Sequence, residues 1–221
     1  LASLGADPVG EHAASGGVHG PVGEALAGVA TLAADVSRRH PHVRAITVDA
    51  ALYHDAGASE AEQLGVALAT GVEYLRALEA AGLDPAAAAA QLEFRLAAGA
   101  QQFLTIAAFR AFRRLWARVG EVCGVAPGAR GARVHAITSR AMVTRYDPWV
   151  NLLRDTIACF SAGVAGAEVV TVEPYDILAG GDAGALGRRL ARNTQALLID
   201  ESGMGRVADP ARGRSFRYRP R

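Results

Sequence analysis

"VRAITVDA", Val43 to Ala50, is short, β-branched and almost wholly apolar at its centre. Such a run suits a strand covered on both faces, and strands of that kind belong to parallel sheets whose connections are helices. The flanking sequence supplies those helices. Before the strand, Val22 to Arg39 places Val22, Leu26, Val29, Ala30, Ala33 and Val36 on one face at helical spacing and stops at "HPH", His40 to His42. After it, in the polar cluster "DAALYHDAGASEAE", Ser59 and Glu62 have capping-box spacing. The next helix therefore starts there and runs to about Ala81, where "AGLDP" closes it.

Two further helical patterns follow, Pro85 to about Ala98 and Gln101 to about Val122. The second carries Phe103, Ile106, Ala107, Phe109, Phe112, Leu115, Trp116 and Val119, a wide apolar surface that predicts a well-buried helix. "PGARG" reads as a loop and "ARVHAITS" as a strand. Pro148 to Ala162 reads as a helix with Asp147 at its N-cap and Pro148 at its first position. "AEVVTVEP" is a third strand and Gly184 to Glu201 the last helix, while the first residues, "LASLGADPVGEH", show neither a helix nor a strand of their own. The order α-β-α-α-α-β-α-β-α is that of parallel strands with helical crossovers. A complete (β/α)8 barrel takes about 250 residues and eight such units, so 221 residues with three strands predict part of a barrel.

Composition narrows the chemistry. The chain is 51% apolar and 20% charged with a formal net charge of +1, which gives no overall field for nucleic acid or membrane. Basic charge gathers only in the last eleven residues, "ARGRSFRYRPR", with five arginines, read as a solvated tail. All 23 basic residues are arginine, so no residue of this chain can form a lysine Schiff base or serve as a phosphate-loop lysine. Cys123 and Cys159 lack metal-ligand spacing, and a reduced cytoplasmic setting is the expectation. No apolar run reaches the roughly 20 residues that span a bilayer. Neither a membrane nor a nucleic-acid partner is predicted.

In barrels the chemistry sits where strands end and the following loops begin. Three places qualify. At Asp49 to Asp55, Tyr53 and His54 are either a hydrogen-bond donor and an acid/base group or ordinary loop residues. At His135 to Asp147, with Arg133 just before, Arg133, His135, Ser139, Arg140 and Arg145 either meet an anionic ligand or alternate between two faces of a strand. Glu173 and Asp176, flanking Pro174, are either paired carboxylates or a strand-to-helix turn. In "ARNTQALL", Arg192, Asn193, Thr194 and Gln195 sit amid apolar residues, and in a buried helix they would need partners in neighbouring loops or a ligand.

The segments "YHDAGASEAEQLGVALATGVEYLRALEAAGLD", "FRAFRRLWARV", "DPWVNLLRDT", "GAEVVTVEPYD" and "RRLARNTQALLIDESGMGRVADPA" resemble, in this order, the barrel domain of the methylmalonyl-CoA mutase family, from about Leu4 to Ala211. The resemblance implies the C-terminal half of a (β/α)8 TIM-type barrel over residues 1–211, a basic tail over 212–221, and no cobalamin-binding domain in the chain, which lacks the Asp-x-His-x-x-Gly motif. It implies adenosylcobalamin for the assembled enzyme, with none bound by this chain alone. It also implies the interconversion of methylmalonyl-CoA and succinyl-CoA.

Tyr53 and His54 match the family's Tyr-His pair, whose histidine bonds the substrate thioester carbonyl, and are the catalytic candidates. Other positions depart from the pattern of catalytic subunits. The Pro-Pro-x-Pro-Ser-Met-Arg stretch is replaced by "GGVHGPVGEAL", Arg-Leu-Ser by Gln91-Leu92-Glu93, and Gln-Asp by Tyr146-Asp147. Glu93 adds an anion where an anionic CoA thioester would lie. These losses point to the family's small subunit, a noncatalytic partner of the large subunit in a heterodimer. The alternatives are a catalytic barrel for another acyl-CoA, in which Arg133 or Arg145 holds the acyl group, and a non-enzymatic interaction module.

Overall fold

In the computed structural model, which describes residues 2–16, 21–178 and 184–206, five strands lie side by side in sequence order. They are β1 (Ala2–Ala6), β2 (Val43–Asp49), β3 (Leu92–Ala98), β4 (Val134–Thr138) and β5 (Val169–Thr171). All four neighbouring pairs are parallel. The connections carry α1 (Pro8–Ser15) and α2 (Val22–Arg39), then α3 (Ala51–Asp55), α4 (Glu60–Ala80) and α5 (Pro85–Ala90), then α6 (Gln102–Val122), then α7 (Pro148–Val164). After β5 comes α8 (Ala185–Asp200). The sheet curls into a half-barrel, as the reading of a partial (β/α)8 barrel expects.

The pleat separates two surfaces. Ile46, Val48, Leu92, Phe94, Leu96, Val134 and Ala136 join the buried core that the sheet shares with α2, α4, α6 and α7. Phe94 is its centre, meeting Phe112 and Trp116 of α6 edge-on with ring centroids 4.8 and 4.5 Å away. Gly71 of α4 lets these rings approach, since a Cβ there would lie 2.8 Å from the Trp116 ring and 2.9 Å from that of Phe94. The alternate residues Thr47, Asp49, Glu93, Arg95, His135 and Thr171 stand on the opposite, lumen face.

Helix signals in the sequence are reproduced closely. Ser59 and Glu62 form both bonds of the capping box that opens α4, and α2 covers Val22–Arg39 as its periodicity predicts. Asp147 and Pro148 do occupy the N-cap and first position of α7, but the Asp147 side chain makes no capping bond. The turn before α7 is held from within the helix. Asn151, fully buried, accepts the Thr144 N–H at 2.9 Å and donates to the Thr144 and Tyr175 carbonyls at 2.8 and 2.9 Å.

Four expectations are corrected. Pro85 to Ala98 is not one helix: α5 ends at Ala90 and β3 begins at Leu92. Alanine is a strong helix former, yet Leu92 to Ala98 has period-two alternation and is claimed by pairing on both edges, which outweighs propensity. The opening residues do form β1 and α1. "ASLGA" has no β-branched residue and becomes a strand because β2 offers it an open edge. Asp7-Pro8 then starts α1, Asp7 accepting from the Gly10 N–H. In α6 only one stripe is buried, including Phe109, Phe112 and Trp116, whereas Phe103 is 73% and Leu115 45% exposed, because the helix rides on the outside of the sheet. Lastly, α8 is mostly exposed: Arg192 and Asn193 face outward and Thr194 bonds back to the Leu190 carbonyl of its own helix.

Candidate functional site

The lumen face carries charge, and the charges are paired. Arg133 Nε donates to Glu93 Oε2 at 2.5 Å, with side chains 14% and 5% exposed. Beside them His135 Nε2 and Thr171 Oγ1 are hydrogen-bonded at 2.8 Å, and His135 Nδ1 lies 3.7 Å from the second Glu93 oxygen. His135 and Arg133 hold the Glu93 carboxyl down to about 2, against the opposing pull of burial. Nearer the strand ends Arg95 donates to Asp49 at 2.8 Å, and Ser3 and Thr47 hydroxyls meet at 2.8 Å. The register explains the pairs, since Thr47, Asp49, Glu93, Arg95 and His135 project to one side of three adjacent strands. Gln91, beneath them, is buried and accepts the Ala45 N–H at 3.1 Å. Glu93 therefore does not stand as a bare anion in the lumen. Arg133 balances it, and the two side chains are bound to each other.

The mouth lies at the other end of the strands. After β2 the chain turns at once into α3, which carries Tyr53, His54 and Asp55. His54 Nε2 is hydrogen-bonded to Ser139 Oγ at 2.9 Å, and Asp55 accepts the backbone N–H of Arg140 at 3.0 Å. Arg140 also reaches Glu173 at 2.9 Å, and the Glu173 N–H donates to Thr138 Oγ1 at 2.9 Å. Burial, with Asp7 and Asp49 adding negative charge, raises the Tyr53 phenol, which keeps its proton. Deeper in, Asp155 of α7 is 2% exposed and neither of its oxygens has a hydrogen-bond partner among the described residues. Burial pushes its carboxyl up to about 6, with the nearby Thr138 hydroxyl opposing and the Glu173 charge adding to the rise.

The candidates do not converge. Arg133 precedes β4 and Ser139, the partner of His54, follows it; the five strand residues between them set them about 20 Å apart. Arg145 is exposed in the loop before α7, as is Tyr146, whose side chain is completely exposed. Glu173 and Asp176 part company, Glu173 to Arg140 and Asp176 to the Gly184 N–H at the start of α8, so this stretch is a turn. The Glu93–Arg133 and Asp49–Arg95 pairs are hidden from a helical reading of Pro85 to Ala98, because only the alternation of β3 brings Glu93 and Arg95 to one face. Asp155 was missed too, and its one signal was an acidic residue among the apolar positions of a helix.

Neither His54 nor His135 is placed to ligate a corrinoid. His54 Nε2 and His135 Nε2 are both engaged, His54 Nδ1 is buried, and His135 Nδ1 faces Glu93, so neither imidazole offers a free nitrogen at the mouth. Among the described residues no group of three or more His, Cys, Asp or Glu is placed to hold a metal. No helix described is long and apolar enough to cross a membrane.

Residues 2–216 match the family model described as methylmalonyl-CoA mutase. The chain is similar to the methylmalonyl-CoA mutase small subunit of Streptomyces virginiae, 56% identical over 211 residues that make up 96% of this chain and 33% of the relative. It is 50% identical to the methylmalonyl-CoA mutase small subunit of Propionibacterium freudenreichii subsp. shermanii over 173 residues, 78% of this chain and 27% of the relative. Similarity to the methylmalonyl-CoA mutase of Escherichia coli (strain K12) is lower, 31% over 186 residues, 84% of this chain and 26% of the relative. The chain spans between a quarter and a third of the length of these curated relatives.

Proposed function

The chain belongs to the methylmalonyl-CoA mutase family, and from that premise we propose that it is part of the small, noncatalytic subunit of an adenosylcobalamin-dependent mutase interconverting methylmalonyl-CoA and succinyl-CoA. One observation carries the reading. The lumen, along which catalytic relatives hold the acyl-CoA, is occupied here by Glu93, Arg133 and His135 bound to one another, with Asp49 and Arg95 beyond them. Entry of a CoA thioester would require breaking a pair whose members are almost wholly buried, and an orphaned buried charge costs about 3 to 5 kcal/mol.

In this reading residues 1–211 are a partial mutase-type barrel and 212–221 a basic tail. The partner is a large subunit of similar fold, which holds the corrinoid and supplies the radical chemistry in the cytoplasm. No step of that chemistry falls to Tyr53, His54, Arg133 or Arg145 of this chain. A permanent heterodimer of this kind buries more than about 2,000 Å². Co-expression of the intact protein with its mutase large subunit is expected to give a one-to-one complex. The intact small subunit by itself, given methylmalonyl-CoA and adenosylcobalamin, is expected to form no succinyl-CoA. Turnover by the separated subunit would refute the proposal.

A further inference from the structure

The Tyr-His pair survives in a chain whose lumen charges are paired with one another, and the bonds around His54 account for the histidine. Two consecutive residues of α3, His54 and Asp55, bond two consecutive residues after β4, Ser139 and Arg140. Strand order places β3 between β2 and β4, so these bonds cross the end of a whole strand. Ser139 is a firm anchor: it is 1% exposed, and its N–H donates to the Ala98 carbonyl at 2.9 Å, extending the β3–β4 ladder. Its neighbours are tied as well, Thr138 to the Glu173 N–H and Arg140 to the Glu173 carboxylate.

The ring's own needs fix the direction of the bond. His54 Nδ1 is buried and has no hydrogen-bond partner among the described residues. A neutral imidazole carries one N–H. Were Ser139 the donor, that N–H would fall on Nδ1 as a buried donor without an acceptor, a rare and costly arrangement. The favoured tautomer therefore has its proton on Nε2, donated to Ser139 Oγ. The only N–H of the ring is then spent inside the protein.

We propose that Ser139 is a positioning residue whose Oγ accepts the hydrogen bond of the His54 Nε2–H and which, with the Asp55–Arg140 bond beside it, latches α3 across the barrel mouth. The histidine of this chain closes the mouth and is withheld from any thioester carbonyl. The last clause rests on the noncatalytic reading above; the latch itself does not.

Diethyl pyrocarbonate tests this on the intact protein, because it acylates an accessible imidazole nitrogen that bears a lone pair. The exposed His40 and His42 serve as internal standards, with site-resolved mass spectrometry as the readout. Relative to them, His54 is expected to react about five- to tenfold faster in Ser139→Ala than in the wild type, the factor that loss of one hydrogen bond allows. Ser139→Thr, which keeps the hydroxyl, is expected to restore the slow rate. Selective 15N-histidine labelling of the wild type reads the tautomer without any substitution, with a protonated Nε2 and a bare Nδ1 expected at His54. Equal His54 reactivity in wild type and Ser139→Ala, or a proton found on Nδ1, overturns the latch. Protection of wild-type His54 by added acyl-CoA would instead overturn the noncatalytic reading, so the two failures are distinguishable.

Discussion

Asp155→Asn should stabilise the protein around α7, and only above mildly acidic pH. The carboxyl is 2% exposed and has no hydrogen-bond partner among the described residues, and burial, opposed by the nearby Thr138 hydroxyl, pushes it up from 3.8 to about 6. The folded state therefore binds this proton more tightly than the unfolded state does. The associated stability is fully present below about 3.8, falls as pH rises from there through about 6, and stays lost above. The interval corresponds to about 3 kcal/mol. Asparagine has the shape of the protonated carboxyl and never ionises, so it removes the penalty at neutral pH and little at pH 4.

Hydrogen exchange of the α7 amides, read by mass spectrometry on the intact protein, isolates this effect from other domains. Comparing variant and wild type at the same pH cancels the intrinsic pH dependence of exchange. The ratio of protection factors is expected near one at pH 4, rising to about a hundredfold at pH 7.5. A ratio that does not change between pH 4 and 7.5 would show that burial does not raise the Asp155 carboxyl, and the reasoning would fail.

Two further predictions concern the lumen and the core. Glu93→Gln leaves Arg133 buried without its counter-ion and is expected to cost about 3 kcal/mol, while the double change with Arg133→Met recovers most of it; urea denaturation of the four proteins as a mutant cycle checks this. Gly71→Ala places a Cβ 2.8 Å from Trp116 and 2.9 Å from Phe94. The overpacking should outweigh the gain in helix propensity and destabilise by about 1 to 2 kcal/mol, read as a lowered urea midpoint with unchanged slope.

Legibility followed the range of the forces. Helices α2, α4 and α7 begin and end on signals within a few residues, such as Ser59 with Glu62 or Asp147-Pro148, and the sequence locates them to within a residue or two. Strands whose residues are β-branched, β2 and β5, were legible for the same reason. β1 and β3 were not, since "ASLGA" and "LEFRLAA" have little intrinsic strand character and owe their state to neighbours distant in sequence. The mouth was half legible: Tyr53 and His54 stood out by type and by their place after a strand, whereas Ser139 became the partner of His54 only through the strand order.

By itself the sequence determined the alternation of strands and helices, the parallel partial barrel that follows from it, and the family, because these depend on local periodicity and on the order of residues along the chain. Only the tertiary structure decided where the charges go. Glu93, Arg133, Asp49 and Arg95 could each have faced solvent or a ligand, and strand register put them opposite one another on the lumen face, where Glu93 and Arg133 are buried and pairing is the low-energy outcome. The same register sets His54 against a buried hydroxyl 85 residues away, a distance in sequence over which no local pattern carries information.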